Sequence, residues 1–534
     1  MADKPYDLAI LGAGQAGCTL AGKIAEHGVN PITGEPLRIA LLDRGPYFKG
    51  KPNPGYGHPL RRQMFTNVSL DFRGKYVTRG GVPPGERRKV ALKSGEDASR
   101  QGVAHVFGGG TLHYTAVTAV PYEVDYGVWV DETGTDWSYQ NIKPFADQIN
   151  RDFNIHARPD VLITPLDHLF RDTAQSMGYP AVDATIAKKN CLLSGYCDGI
   201  NHCRYDARQG SFVAYLPIAE ERGVEMMPEC NVERVLFEKS GAQVRVKGVE
   251  YTQNGVRHTL EASRVAVSCG TYFTPVVLYN SGYGPRELTV GTPIVENRNV
   301  GANTDNRPQV PGPVGIFDEP VSDGEFHHTG AYYIFHDTDP AGRYERIQID
   351  IRPNQVPYPD RVALNSAAPE FGRQHKQFMR DVARADKMTP ARKEFTRQSR
   401  STLRLIRPRK IRGYINEWSE QIYRRNDPSI IKPLEEGREL IYEILKKMGA
   451  KEILGMDRPV RNPYLATFVG SCIGGSDPKT SVVDPYFESH DIEGLFVCCG
   501  STVPRAASQG YAGSVATLAL FAAHRIVERH FKRG

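Results

Sequence analysis

No apolar run in the chain approaches the roughly 20 residues that a helix needs to cross a bilayer. The best stretch, Val515 to Ala523, is too short and contains Thr517. The opening residues, Met1-Ala2-Asp3-Lys4-Pro5-Tyr6, lead almost directly into a first strand. They contain no basic n-region, apolar h-region or twin-Arg signal, so a cytoplasmic location is expected. Strong charge is also missing. A net +6, evenly spread, is too mild to argue for nucleic acid. No internal repeat or low-complexity linker is present, so several domains would be interleaved rather than strung in a row. Nine cysteines, an odd count in a long chain without a signal peptide, speak for thiols or metal ligands and against a disulfide framework. What remains is ordinary for a soluble globular protein: 534 residues, 40% hydrophobic and 24% charged. At roughly 100–200 residues per domain, that length suggests two to four domains.

The first informative segment is Asp7-Leu-Ala-Ile-Leu11, a short apolar run that reads as a buried parallel strand. It feeds directly into Gly12-Ala-Gly14-Gln-Ala-Gly17, and Cys18 to His27 then has helical character, with Gly28 as a C-cap candidate. Gly12 suits the tight turn, Gly14 lets backbone approach a pyrophosphate, and Gly17 lets helix and strand pack closely. The helix N-terminus offers N–H groups and a positive dipole end to the phosphates. A second strand, Arg38-Ile-Ala-Leu-Leu-Asp43, ends on an acid suited to the adenosine ribose hydroxyls. It comes later than the usual ~20 residues, and the loop Asn30 to Leu37 accounts for the excess. This strand–glycine turn–helix–strand–acid context indicates a dinucleotide but does not separate NAD from FAD.

The rest of the chain separates them. Phe107-Gly-Gly-Gly-Thr-Leu-His-Tyr-Thr-Ala-Val-Thr118 is a glycine-rich loop entering a small-residue segment, able to lie against a flat ring and a diphosphate. It resembles the second flavin motif of the glucose–methanol–choline (GMC) oxidoreductases. Asp136-Trp137-Ser-Tyr-Gln-Asn-Ile-Lys-Pro-Phe145 resembles that family's helix entry. Val232–Val235, Gly248–Tyr251 and Ala262–Gly270 resemble its strands returning to the adenosine, and Asn299–Asn303 its short return loop. Val469-Gly-Ser-Cys472, Ser481–Asp484, Gly494–Val497 and Gly500-Ser-Thr-Val-Pro504 follow its C-terminal order. The resemblance covers the whole chain and is nearest in pattern to the pyranose-oxidase and gluconate-dehydrogenase-like members. It implies an α/β fold: a Rossmann-type FAD-binding domain interleaved with an α+β substrate domain, an antiparallel sheet with outer helices. The expected division is 1–145, 205–309 and 456–534 for FAD, with 146–204 and 310–455 forming the substrate domain. Strands are expected at Ala331–Phe335 and Tyr344–Ile349, and a helix from Leu434 to Met448, opening just after Pro433. A helix from about Tyr511 to Val527 would point its N-terminus at the flavin, where its dipole favours the anionic reduced form. The residues assigned to FAD are Gly12, Gly14, Gln15, Ala16, Gly17, Asp43 and Arg44 in the first unit. Gly108, Gly109, Gly110, Thr111 and His113 follow in the second loop, with Val232, Gly270, Gly500 and Ser501 beyond.

The chain departs from the family where a proton is removed from the alcohol. The first base position, usually His, reads Thr467 in Leu465-Ala-Thr-Phe-Val-Gly-Ser-Cys472, and the second falls at Gly510 in Ala507-Ser-Gln-Gly-Tyr511. Neither Thr nor Gly takes a proton at neutral pH. No histidine lies between His375 and His490, or between His490 and His524. The family's Asp before the final Gly-Ser is Cys499, and the closing His of the return loop is Asn306. Gln509 and Tyr511 remain as polar groups that would orient a substrate oxygen, neither being a good base.

Three further features have two readings each. His113 matches a position that some relatives bond covalently to the flavin; a packed or hydrogen-bonding His without the bond is preferred. Cys191, Cys197 and Cys203 occupy the place of a loop that holds an iron–sulfur cluster in some members, and with His202 they resemble zinc ligands. Ser194 stands where a fourth Cys often falls, which favours free thiols, no cluster and no metal. The run Arg397, Arg400, Arg404, Arg407, Arg409, Lys410 and Arg412 reads as a solvated face in preference to a funnel for an anionic or polyhydroxylated substrate.

The functional expectation is a FAD-dependent oxidoreductase acting on a CH–OH group of a small-molecule sugar, glycoside or polyol, with O2, a quinone or a protein as acceptor. Two alternatives stay open: a flavoprotein of the same fold with lyase, isomerase or desaturating chemistry, and a FAD-binding protein without catalysis. Oligomeric state is open.

Overall fold

The computed structural model describes residues 4–47, 92–99, 104–112, 114–159, 163–191, 207–321, 333–337, 339–353, 394 and 396–532. Leu8–Leu11 is buried at every position, as a strand covered on both faces requires. It pairs in parallel with Ile39–Leu42 on one side and Val265–Val267 on the other. Glu225–Met227 and Leu495–Val497 are the edge strands of this parallel sheet, which has five strands among the described residues. The first helix, Gln15–His27, packs against the long C-terminal helix Tyr511–His530, and Leu20, Ile24, Leu518 and Phe521 share one core with Leu8 and Ile10. Gly28 caps the first helix through its N–H to the Ile24 carbonyl at 2.8 Å, in extended rather than left-handed conformation. An antiparallel meander, Asn231–Ser240, Gln243–Gln253 and Val256–Glu261, leans on the same domain.

The second layer is an antiparallel sheet of seven strands among the described residues. Its order is Glu452–Leu454, Asp305–Ile316, Gln398–Ile406, Arg346–Pro353, Tyr333–Asp337, Ala181–Val182, with Tyr464–Val469 also paired to Asp305–Ile316. Side chains alternate across it. Ile347, Ile349, Ile351, Leu403 and Leu405 face the helices Pro165–Ser176 and Pro428–Lys447 and form a separate core with Phe170, Leu434 and Ile441. The expected α/β fold, a Rossmann-type sheet with an antiparallel sheet and outer helices, is what the chain adopts.

The helix expected from Leu434 starts six residues earlier. Asp427 caps it, accepting from the Ser429 N–H at 2.9 Å, Pro428 takes the first position, and Pro433 lies inside. The basic run is a solvated face only in part: Arg397, Arg400, Arg409 and Lys410 are exposed, and Arg404, Arg407 and Arg412 are not. Strand periodicity puts Arg400 and Arg404 on one side of Gln398–Ile406, and Arg407 is fully buried against Asp125, which is buried as completely. Arg412 pairs with Glu132.

Candidate functional site

A cavity of about 480 Å³ opens where the strands Leu8–Leu11 and Ile39–Leu42 end. Its floor is the first glycine turn. Gly12 has φ +96°, and a Cβ there would stand 2.7 Å from the Ser268 carbonyl. A Cβ on Gly17 would stand 1.8 Å from the Gly12 carbonyl, so this close helix–strand approach requires glycine. Gly14 lines the cavity, and a Cβ on it would meet nothing within 4 Å. The open side of Gly14 therefore faces ligand space. Gly14 is also the N-cap of Gln15–His27 and brings no capping side chain, which leaves first-turn N–H groups for an anion. Gln15 and Ala16 line the cavity too. The Gln15 amide is already engaged: its oxygen accepts from the Ser211 N–H at 3.0 Å, and its nitrogen lies 3.4 Å from the Ala512 carbonyl.

The second loop packs directly on the first. Gly108 donates its N–H to the Ala13 carbonyl at 2.7 Å, and a Cβ on Gly109 would be 3.0 Å from the Gly14 Cα. Gly109, Gly110 and Thr111 line the cavity; Gly108 packs behind them against Phe212. His113 lies outside the described residues, as do Ser194, Cys197, His202 and Cys203. Cys191 is half-buried. Among the described residues, no group of three or more His, Cys, Asp or Glu side chains is arranged to hold a metal ion.

At the far end, Asp43 reaches the cavity, but its carboxylate accepts from the Ala13 N–H at 2.8 Å and the Gly45 N–H at 2.7 Å. It braces the glycine turn as well as facing the space beside it. Arg44 sits 4.0 Å over the Phe273 ring and bonds His105, and with Val232 these line the same end. His105 and Phe273 were not anticipated from sequence; no motif marks them.

The opposite end holds Gly270, Thr271, Thr467, Gly500, Tyr511 and Ala512. Tyr511 begins the 20-residue C-terminal helix, so the positive end of its dipole meets the cavity as expected. The Tyr511 hydroxyl lies against Gly500, where a Cβ would be 2.0 Å from it. Ser501 is buried behind, 3.0 Å from the Cys499 sulfur, and does not line the cavity. Gly510 is the helix N-cap, just outside it. Gln509 turns away, donating to the Tyr122 hydroxyl at 2.6 Å.

Thr467 stands in an unusual backbone. Asp305 pairs with Val469 and Arg307 with Ala466, so Tyr464–Val469 carries one residue more than its partner and forms a β-bulge. Thr467 within it has φ +60°, a left-handed conformation that a β-branched residue seldom takes. Burial pushes the Tyr511 phenol well up, the nearby Thr271 hydroxyl opposing, and raises the Tyr114 phenol to about 12. Among the described residues, this end of the cavity contains no histidine and no carboxylate.

A buried polar hub supports it. The Asp125 carboxylate accepts from the Ser508 N–H at 2.9 Å, the Ser508 hydroxyl at 2.7 Å and the Tyr122 N–H at 2.8 Å, besides pairing with Arg407. It joins the helix Glu123–Thr133, the antiparallel sheet and the segment leading to Tyr511.

Residues 6–309 match the N-terminal model, and residues 423–519 the C-terminal model, of the GMC oxidoreductases. Mouse mitochondrial choline dehydrogenase is 26% identical over 294 residues, covering 52% of this chain and 46% of that protein. Glucose dehydrogenase (FAD, quinone) of Drosophila pseudoobscura pseudoobscura is 23% identical over 302 residues, 53% of this chain and 44% of that one. Pyridoxine 4-oxidase of Microbacterium luteolum is 24% identical over 300 residues, 52% of each. The matches thus span about half the length of these curated relatives. The crystal structure of pyridoxine 4-oxidase from Mesorbium loti superposes with a TM-score of 0.67 at 16% identity, covering 98% of this chain and all of that one. Formate oxidase gives 0.63 at 17% identity, covering 99% of each. At such identities the structural likeness is one of fold. Two glycine loops meeting at a helix N-terminus, a second helix aimed at the other end of the cavity, and the family match over more than half of the chain agree: the protein belongs to the GMC oxidoreductases, a family of FAD flavoproteins.

Proposed function

We propose that this protein is a FAD-dependent oxidoreductase acting on the CH–OH group of a sugar, glycoside or polyol. The observation that carries the reading is the cavity: glycine backbone and helix N-terminus at its middle, and the N-terminus of Tyr511–His530 at the end where Thr467 and Tyr511 stand. Bound FAD supplies the hydride acceptor. Gly12, Gly14, Gly109 and Gly110 would hold the diphosphate, with Arg44 and Val232 beside the adenosine and Gly270, Gly500 and Tyr511 around the ring. The helix dipole favours negative charge at that end. The Thr467 and Tyr511 hydroxyls orient a substrate oxygen and do not take its proton. Threonine has no basic form at neutral pH, and the buried phenol stays protonated. The proposed division assigns 1–145, 205–309 and 456–534 to FAD and 146–204 and 310–455 to the substrate, with the strand Asp305–Ile316 crossing between them.

The lack of a proton acceptor among the described residues at this end favours a second reading, redox-neutral chemistry such as a lyase or isomerase reaction on the same scaffold. Anaerobic mixing of FAD-loaded protein with a panel of sugars, glycosides and polyols tests the two. Loss of the flavin's visible absorbance with an equivalent of carbonyl product supports oxidation. Turnover with the flavin oxidised throughout supports the second reading.

A further inference from the structure

Buried guanidinium groups in this fold face carboxylates: Arg158 meets Asp167 and Asp183, Arg407 meets Asp125, and Arg505 meets Asp305 and Glu132. Arg208 departs from that pattern. It is only 3% exposed. One terminal nitrogen donates to the Tyr114 carbonyl at 2.5 Å, and the buried Nε has no partner. No carboxylate among the described residues pairs with it. Lys188, opposite it in an antiparallel bridge, is buried too and carries the same sign of charge. A guanidinium keeps its charge throughout the working pH range. Burying that charge without a counter-ion is costly, and the cost stands until negative charge is brought near.

Negative charge comes near at the ring end of the cavity. Tyr114 lines the cavity, and residues 208–209 hold it at two points. Arg208 donates to its carbonyl, and its phenol donates to the Gln209 carbonyl. Gln209 is pinned in turn, its N–H donating to the Ala187 carbonyl at 3.0 Å. From Tyr114 the chain passes along the start of the helix Tyr511–His530. Val117 also lines the cavity, and a Cβ on Gly510 would stand 3.4 Å from its carbonyl. A Cβ on Gly513 would stand 2.0 Å from the Ala119 carbonyl. Arg208 therefore lies one residue behind the cavity wall, on the side where the helix dipole already favours negative charge. Being behind the wall, it acts by charge and not by contact. A unit charge about 10 Å away shifts an equilibrium on the order of tenfold at the effective dielectric of a protein interior.

We infer that Arg208 is a fixed counter-charge for the reduced flavin, set behind Tyr114, and that it raises the flavin's reduction potential. This goes beyond the alcohol-oxidising reading and holds equally for redox-neutral chemistry on the same scaffold. The test is the two-electron midpoint potential of FAD-loaded protein, measured by anaerobic equilibration with a reference dye. Arg208→Gln should lower it by about 30 mV, a tenfold change in the reduction equilibrium. Arg208→Lys keeps the charge and should stay within about twofold of the parent equilibrium near about pH 6. A buried amine gives up its proton far more readily than a guanidinium, so the potential of Arg208→Lys should fall relative to the parent's as pH rises to about 9. An unchanged potential in Arg208→Gln would overturn the inference. It would do so even if the variant unfolds earlier or releases FAD more readily, since those losses alone mark a structural or diphosphate-binding role. If Arg208→Gln does not fold, Arg208→Lys decides: a potential that tracks the parent's from about pH 6 to about pH 9 overturns the inference. A lowered potential in a protein whose flavin no alcohol bleaches upholds Arg208 and defeats the oxidation reading. Bleaching by an alcohol with an unchanged potential in Arg208→Gln does the reverse.

Discussion

Replacing Arg407 by Met removes one half of an ion pair in which both side chains are completely buried. Losing one partner of such a pair costs about 3–5 kcal/mol, because the other charge is left uncompensated. Here the remaining group is Asp125. It keeps three neutral donors, the Ser508 N–H and hydroxyl and the Tyr122 N–H, which soften the loss and put Arg407→Met near about 3 kcal/mol. Asp125→Ala is the harsher change. Arg407 keeps the Gly342 carbonyl at 3.0 Å and the Ala506 carbonyl at 3.2 Å, but Ser508 loses two bonds and the helix Glu123–Thr133 loses its cap, for about 5 kcal/mol. With Asp125→Leu and Arg407→Met together no buried charge remains, and the cost should fall below that of Asp125→Ala. Denaturant unfolding followed by flavin release and tryptophan fluorescence gives this order. If Arg407→Met matches the parent, or if the double variant is the least stable, the hub does not hold the segment before Tyr511 as described.

Gly14→Val sends a branched side chain into the space reserved for the diphosphate, and the protein should purify colourless and fail FAD reconstitution. Thr467→Asn relieves the φ +60° strain and should stabilise by about 1 kcal/mol, read as a higher melting temperature. Thr467→Ala should leave anaerobic flavin reduction within a few-fold; a loss on the order of 10³ would place Thr467 in the proton path. Because the Asp350 carboxyl is depressed in the folded state, its stabilisation is complete above the ordinary value of 3.8 and is lost as pH falls through the lower folded value. Arg404→Gln should therefore move the onset of acid unfolding to higher pH in a fluorescence titration.

The first glycine turn was legible because strand, turn and helix are contiguous, and their tight approaches need glycine at Gly12 and Gly17 whatever else the chain does. The C-terminal helix was legible for the same reason. Arg407 was misread as solvated because its partner Asp125 lies 282 positions away. Only the folded sheet shows that Arg404 stands between Gln309 and Asp350. The bulge at Thr467 belongs to the pairing with Asp305–Ile316 and has no local signature. The early start of the helix Pro428–Lys447 did have one, Asp427 followed by Pro428, outweighed by taking Pro433 as the opening. Asp43 lines the cavity, but its bonds to Ala13 and Gly45 come from the fold of the turn itself and leave no mark in the sequence.

In the proposed reaction, hydride leaves a carbinol carbon for the flavin bound in this cavity. A single anaerobic turnover with substrate deuterated at that carbon tests it most directly. The flavin is expected to bleach, the deuterated substrate to bleach it several-fold more slowly, and one equivalent of carbonyl product to appear. A flavin that stays oxidised, or one that bleaches at the same rate with either isotope, would contradict it.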